Sequence, residues 1–298
     1  MEYLLLVCAV FIGAIKAILN RKVKSGTATA FATFRLNLIC FVLAFITVFF
    51  MGLGDIATLF KVPLWLALAT AIATVGMQVC MMKAVQTGPV SLSSLFTYCG
   101  FIIPTLFGSL YYRENFHILQ GVGIALILCA FVLSLQKEKE TKFNLQWLLY
   151  ALGAMLFSGL LGVFQKIFVK EYPNNSLNNF LTVSFFIVVL LVGVCTLFCF
   201  FKERGKTTIS RGLGMPIGVF LAYTIPLGAI IGGLNLLNTY LSSVLPSVVV
   251  FPAINGGAIF LTTLLSAIVF KEKPTKRQTL ALIIGIGAIL LIALSQLL

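Results

Sequence analysis

Charge is what this sequence has least of. Asp, Glu, Lys and Arg make up only 10% of its 298 residues and hydrophobic residues 60%, whereas a soluble domain carries about 25% charged residues, mostly on its surface. So little polar surface excludes water as the solvent of the fold, and apolar runs of 18 or more residues recur along the whole chain, as transmembrane helices require. Acidic residues are scarcer still, 8 against 21 Lys and Arg, giving a net charge of +13. In a soluble chain that balance would suggest nucleic acid. Here the basic residues lie in short clusters between apolar runs, the pattern of cytoplasmic loops, and nucleic acid is not an expected partner. There is one histidine, His117, and the seven cysteines lie inside apolar segments without metal-ligand spacing, so neither a metal nor another cofactor is expected. An acidic pair, an HExxH motif, a nucleophile elbow and an intramembrane histidine base are all missing, and the expectation is a protein that is not an enzyme. A signal peptide is also missing: Glu2 replaces the positive n-region and no small-x-small cleavage site follows, so the first apolar run reads as the first helix.

What is present is a succession of ten segments: Tyr3 to Leu19, Thr27 to Met51, Pro63 to Val85, Val90 to Tyr112, Ile118 to Leu135, Leu145 to Phe168, Leu177 to Phe201, Leu213 to Ser243, Val244 to Phe270, and Leu280 to Leu298. Each can cross about 30 Å of hydrocarbon at about 1.5 Å per residue. A polar linker at 137–144, holding Lys137, Glu138, Lys139, Glu140 and Lys142, separates residues 1–136 from 145–298, with five segments on either side. A shift of 158 lays Tyr112-Arg113-Glu114-Asn115 on Phe270-Lys271-Glu272-Lys273 and Gln120 on Gln278; a shift of 149 lays Gly13 and Lys16 on Gly162 and Gln165. An odd number of helices per half makes this an inverted repeat. The expected fold is therefore all-α and integral to the membrane, ten transmembrane helices in two inverted five-helix repeats. Lys and Arg concentrate in the loops after the odd-numbered segments, which places those loops in the cytoplasm and both termini outside.

Ten helices in two halves, with Gly13-x-x-Lys16 ending the first, Phe164-Gln165-Lys166 ending the sixth, Ala84 to Pro89 leading into the fourth, and aromatic-basic-Glu turns at Glu114 and Glu272, resemble the EamA-type branch of the drug/metabolite transporter superfamily. The resemblance implies a secondary transporter with a central cavity between the halves, for amino acids, organic cations, nucleotide sugars or phosphorylated sugars. It also implies termini in the cytoplasm, opposite to the charge count.

Within the apolar segments the ionisable residues are basic: Lys16, Arg35, Lys83 and Lys166, whereas Glu114 and Glu272 read as solvated turn residues that form local ion pairs or cap a following helix. A buried carboxylate able to alternate between a proton and a cationic drug is missing from this reading, so anionic, zwitterionic or neutral solutes are favoured. Lys16, Arg35 and Lys83 are candidate ligands, or else all four, Lys166 included, snorkel to the interface. Candidate polar contacts are Asn37, Ser94, Tyr98, Gln165, Asn235 and Asn238, which fall at helical spacing with other polar residues, and the isolated amides Gln78 and Asn255; each lines a wet cavity or joins helices by hydrogen bonds. Prolines and glycines make segments 8 and 9, with Pro226, Gly228, Gly232, Pro246 and Pro252, the candidates for broken or moving helices. The expected function is alternating-access transport of a small polar metabolite, with export of organic cations or drugs, a channel, or a membrane scaffold as alternatives. The expected partners are that solute and membrane lipid, and compact loops suit a bacterial plasma membrane.

Overall fold

Hydrocarbon offers no partner to a backbone N–H or C=O, so a spanning segment must satisfy its polar groups internally and becomes a helix. The structure, a computed structural model, describes residues 1–24, 30–52, 58–59, 61–134, 144–203, 217–269 and 275–295. Its helices are α1 (Glu2–Lys24), α2 (Ala30–Met51), α3 (Leu64–Thr87), α4 (Val90–Cys99), α5 (Ile102–Tyr111), α6 (Ile118–Ser134), α7 (Leu145–Glu171), α8 (Leu177–Glu203), α9 (Ile217–Val244), α10 (Ser247–Val269) and α11 (Lys276–Leu294). Among the described residues nine spans are apolar over 18 residues or more, α4 and α5 together forming one of them, and a tenth apolar helix, α6, has 17 residues. The chain is a multi-pass integral membrane protein. Residues 137–143 of the linker and the turn carrying Glu272 lie outside the described residues.

The helix breaks differ from expectation. Pro226 and Pro252 sit inside unbroken helices, α9 and α10. The fourth span instead tightens at Gly100 and Phe101, which keep right-handed helical dihedrals but donate to the Thr97 and Tyr98 carbonyls three residues back, at the point where the chain runs against α7 backbone to backbone. A Cβ on Gly100 would come within 2.7 Å of the Met155 carbonyl oxygen, and one on Gly159 within 2.8 Å of the Gly100 carbonyl oxygen. Gly228 and Gly232 serve packing, since their faces press on the α2 carbonyls of Cys40 and Ala44.

Packing follows the inverted repeat. α1 lies on α9 and α10, and its counterpart α7 lies on α3 and on α4 and α5; α2 lies on α9 as α8 lies on α3. The pairs α2–α8, α5–α10 and α6–α11 join each helix to its own counterpart. The repeat reaches single hydrogen bonds: Gln120 Oε1 accepts from His117 N at the start of α6, and Gln278 Oε1 accepts from Thr275 N at the start of α11. In the second case the Thr275 hydroxyl returns the bond, completing a capping box.

Consequently neither half has a core of its own. One apolar core joins Phe41, Ala44 and Val48 of α2, Leu66 and Ala71 of α3, Phe168 of α7 and Phe180 to Val192 of α8. The second large one joins Leu6 and Ala9 of α1, Phe131 of α6, Val248 to Phe260 of α10, and Ala281 to Ile292 of α11, and smaller clusters join Leu36 and Cys40 of α2 to Phe220 and Leu227 of α9, and Ala84 of α3 to Trp147 and Ala151 of α7. Helix α9 enters both, through Leu236 in the first and Leu234 and Leu241 in the second.

Two outcomes follow for thermal unfolding in detergent. Gly232→Leu drives a side chain into the Ala44 carbonyl, 2.8 Å from the missing Cβ, and lowers the melting temperature by the equivalent of about 1–3 kcal/mol, whereas Gly233→Ala, with nothing within 4 Å, is neutral or slightly stabilising. Thr275→Ala removes the capping box and costs about 1 kcal/mol.

Candidate functional site

Spans that alternate in direction bring the turns α2–α3, α5–α6, α7–α8 and α9–α10 to one face. At the α5–α6 turn Arg113 has φ 52°, a left-handed conformation that costs a non-glycine residue about 1–2 kcal/mol. Tyr112 and Glu114 both return their N–H groups to the Gly108 carbonyl, at 3.2 and 3.3 Å. The turn thereby aims the Glu114 carboxylate back into the bundle. There Oε1 meets the Lys166 ammonium of α7, and Oε2 accepts from the backbone N–H of Ser247, the first residue of α10, at 2.7 Å. Lys166 Nζ also donates to the Ser242 carbonyl at the end of α9, at 2.9 Å. The side chains of Lys166 and Glu114 are 1% and 10% exposed, so this is a buried ion pair whose spare valences are taken by two helix ends. A carboxylate at a helix N-terminus and an ammonium at a helix C-terminus each complement the dipole they face.

Glu114 is thus not a solvated turn residue with a local partner, and Lys166 does not snorkel. The expectation of a carboxylate-free interior fails at this position because left-handed Arg113 and the bonds to the Gly108 carbonyl turn the Glu114 side chain inward while its neighbours Arg113 and Asn115 stay exposed. Gly108 makes the approach possible: a Cβ there would collide with Ser247 Oγ and lie 2.6 Å from Glu114 Oε2. Beside the pair, Tyr112 donates its hydroxyl to Glu171 Oε1 at 3.0 Å. Burial, and then the Glu171 hydrogen bond and charge, hold the Tyr112 phenol above its ordinary range.

One helical turn deeper lies a neutral cluster. Gln165 Nε2 of α7 donates to Asn235 Oδ1 of α9 at 3.1 Å, and Asn235 Nδ2 donates to the Ile231 carbonyl at 2.9 Å. Asn238 follows on the same face of α9, and its Oδ1 is buried without a hydrogen-bond partner among the described residues. Since α7 belongs to the first core and α9 to both, the cluster sits where the cores meet.

The structure therefore unites Gln165, Asn235 and Asn238 among the residues singled out in the sequence, with Lys166 and Glu114 beside them. The remaining candidates are half-buried and spread over other helices. Lys16 of α1, Arg35 and Asn37 of α2, Lys83 of α3 and Ser94 of α4 lie within about two turns of the opposite face. The Arg35 guanidinium stands 5.5 Å from the centre of the Phe31 ring. Gln78 and Tyr98 lie deeper, Tyr98 packed on the second core. Asn255 donates to the Phe251 carbonyl of its own helix at 2.9 Å. Sequence reasoning missed Glu114 and Ser247 as site residues. The signal that could have found Glu114 is the Gly108 spacing, six residues before a carboxylate that closes a tight turn.

The sequence profile of the EamA-like transporter family matches residues 1–136 and 145–294. A crystal structure of a protein superimposes over 98% of this chain and 96% of its own length, with a TM-score of 0.74 at 15% identity, a likeness of fold. No curated protein sequence matches the chain. A family match on both sides of the linker, over ten spans packed as an inverted repeat, leads to one conclusion: the chain belongs to the EamA-like transporter family, the EamA branch of the drug/metabolite transporter superfamily, and is a membrane transporter.

Proposed function

We propose that this transporter moves a small polar metabolite, zwitterionic or anionic, such as an amino acid or organic anion, by alternating access. The observation that carries the reading is the amide cluster of Gln165, Asn235 and Asn238 between the two cores, with a buried acceptor on Asn238 left unpaired. An unpaired buried carbonyl oxygen costs about 1–3 kcal/mol, and a solute ammonium or hydroxyl donating to it would recover that energy. Lys16, Arg35 and Lys83, toward the opposite face, supply the positive field for a carboxylate or phosphate. Because each apolar core draws helices from both repeats, the units that move are the two cores rather than the two sequence halves, with α9 between them. The charge bias of the loops supports a cytoplasmic position for the Lys16 face, in a bacterial plasma membrane.

Glu114 gives the organic-cation reading an observation of its own, a buried carboxylate. Its charge is neutralised by Lys166, however, so a cation would have to displace an ammonium already in place, and the polar-solute reading is the stronger.

Thermal stability of the detergent-purified protein against amino acids, organic anions, phosphorylated sugars and quaternary cations tests this. A ligand of the native state at a hundred times its dissociation constant stabilises by about 2.7 kcal/mol. The expected result is a rise in melting temperature from an amino acid or organic anion that Asn238→Ala and Lys16→Ala each reduce or abolish. A rise from quaternary cations alone would overturn the reading.

A further inference from the structure

We propose that Glu114 and Lys166 are the gate residues of their face, a pair that separates when the face opens and re-forms when it closes. The inference rests on the alternating-access reading and adds to it the contact whose rupture opens one side. Three observations converge on it.

First, the pair bridges units that must part. Lys166 belongs to α7, anchored in the first core through Phe168, whereas Ser247 begins α10, whose residues from Val248 on belong to the second. Glu114 binds both Lys166 and Ser247, and Lys166 also holds the end of α9 through Ser242. Second, the contact lies between water and the amide cluster. Lys166 adjoins Gln165 in sequence, and Asn238 lies about one turn inside Ser242 on α9, so a solute reaching Asn238 from the Glu114 face would pass the ion pair. Third, the closed arrangement is internally incomplete. Ser247 Oγ is wholly buried beside the Glu114 carboxylate and without a hydrogen-bond partner among the described residues, a polar group that entering water would satisfy.

The electrostatics give the gate a signature that simple packing lacks. Neutralising one partner leaves the other charge buried and alone, which the closed state tolerates badly and the open state, where water solvates it, tolerates well. Single neutralisation therefore drives this face open. Neutralising both leaves no orphaned charge, and the closed state returns.

The test is cysteine accessibility in membrane vesicles, in a background with the seven native cysteines replaced. Asn238→Cys reports the passage inside the gate, and Asn174→Cys, in the exposed α7–α8 turn, marks the same face. A membrane-impermeant maleimide is applied from the side on which the Asn174→Cys thiol reacts. The expected result is slow labelling at position 238 in the parent, a roughly tenfold or greater acceleration with Glu114→Gln or Lys166→Met, and near-parental labelling in the double variant. Glu114→Asp, which keeps both charges but shortens the reach, should fall between, and carries the test if a neutralised single variant does not yield folded protein. Unchanged labelling in folded single variants, or in folded Glu114→Asp where it carries the test, would overturn the proposal, as would a double variant as open as the singles. Labelling needs no solute, so an accelerated single variant alongside a protein that no solute stabilises would preserve the gate and sink the polar-solute reading.

Discussion

The absence of hydrogen-bonding solvent in hydrocarbon is the constraint on which the rest of this structure depends. It forces every span into a helix, and it removes most of the hydrophobic drive that would press those helices together, since lipid is as apolar as leucine. Association must come from close fit and from the few polar groups the chain can place internally. Gly100 against Gly159 and Gly232 against Ala44 supply the fit. The Gln165–Asn235 bond and the Lys166–Glu114 pair supply the polar part. The glycine contacts and the ion pair join helices from opposite halves of the sequence, whereas the Gln165–Asn235 bond joins two helices of the second half.

That constraint also explains what could be read in advance. Segment positions were legible because one rule, a long apolar run between charges, governs all ten, and the repeat was legible because Glu114 and Gln120 recur as Glu272 and Gln278 at a fixed spacing. The helix ends were less so. α7 and α8 continue through Lys170, Glu171, Lys202 and Glu203, since a helix need not stop where hydrocarbon does. The tightening of the fourth span was not legible, because it falls where α7 approaches at Gly100, a contact between residues far apart in sequence. Conversely the prolines, local signals of a break, proved compatible with continuous α9 and α10.

The site was legible in its neutral part and misread in its charged part. Gln165, Asn235 and Asn238 stand out as polar residues in apolar helices, and the first two meet. Glu114 stands outside any apolar run, so distance along the chain suggested water around it. Burial is a property of the turn that carries it: left-handed Arg113 and bare Gly108 fold the carboxylate inward toward Lys166. A net charge of +13 likewise says little about the interior, where that ion pair is neutral as a unit.

The exchange of helices between the two cores has a consequence for how such a protein is made. During synthesis α1, α2 and α3 enter the bilayer before α7 to α10, their principal neighbours, exist. The early helices must wait in lipid, each stable as a helix but without a tertiary partner, until the second half threads between them. A separately expressed first half would face the same vacancy permanently, and the natural occupant would be another five-helix chain inserted upside down. The pairs α2–α8, α5–α10 and α6–α11, each joining a helix to its own counterpart, are the contacts that an antiparallel dimer of such chains would make across its axis. The fused protein keeps that geometry while fixing the ratio of the two orientations at one to one.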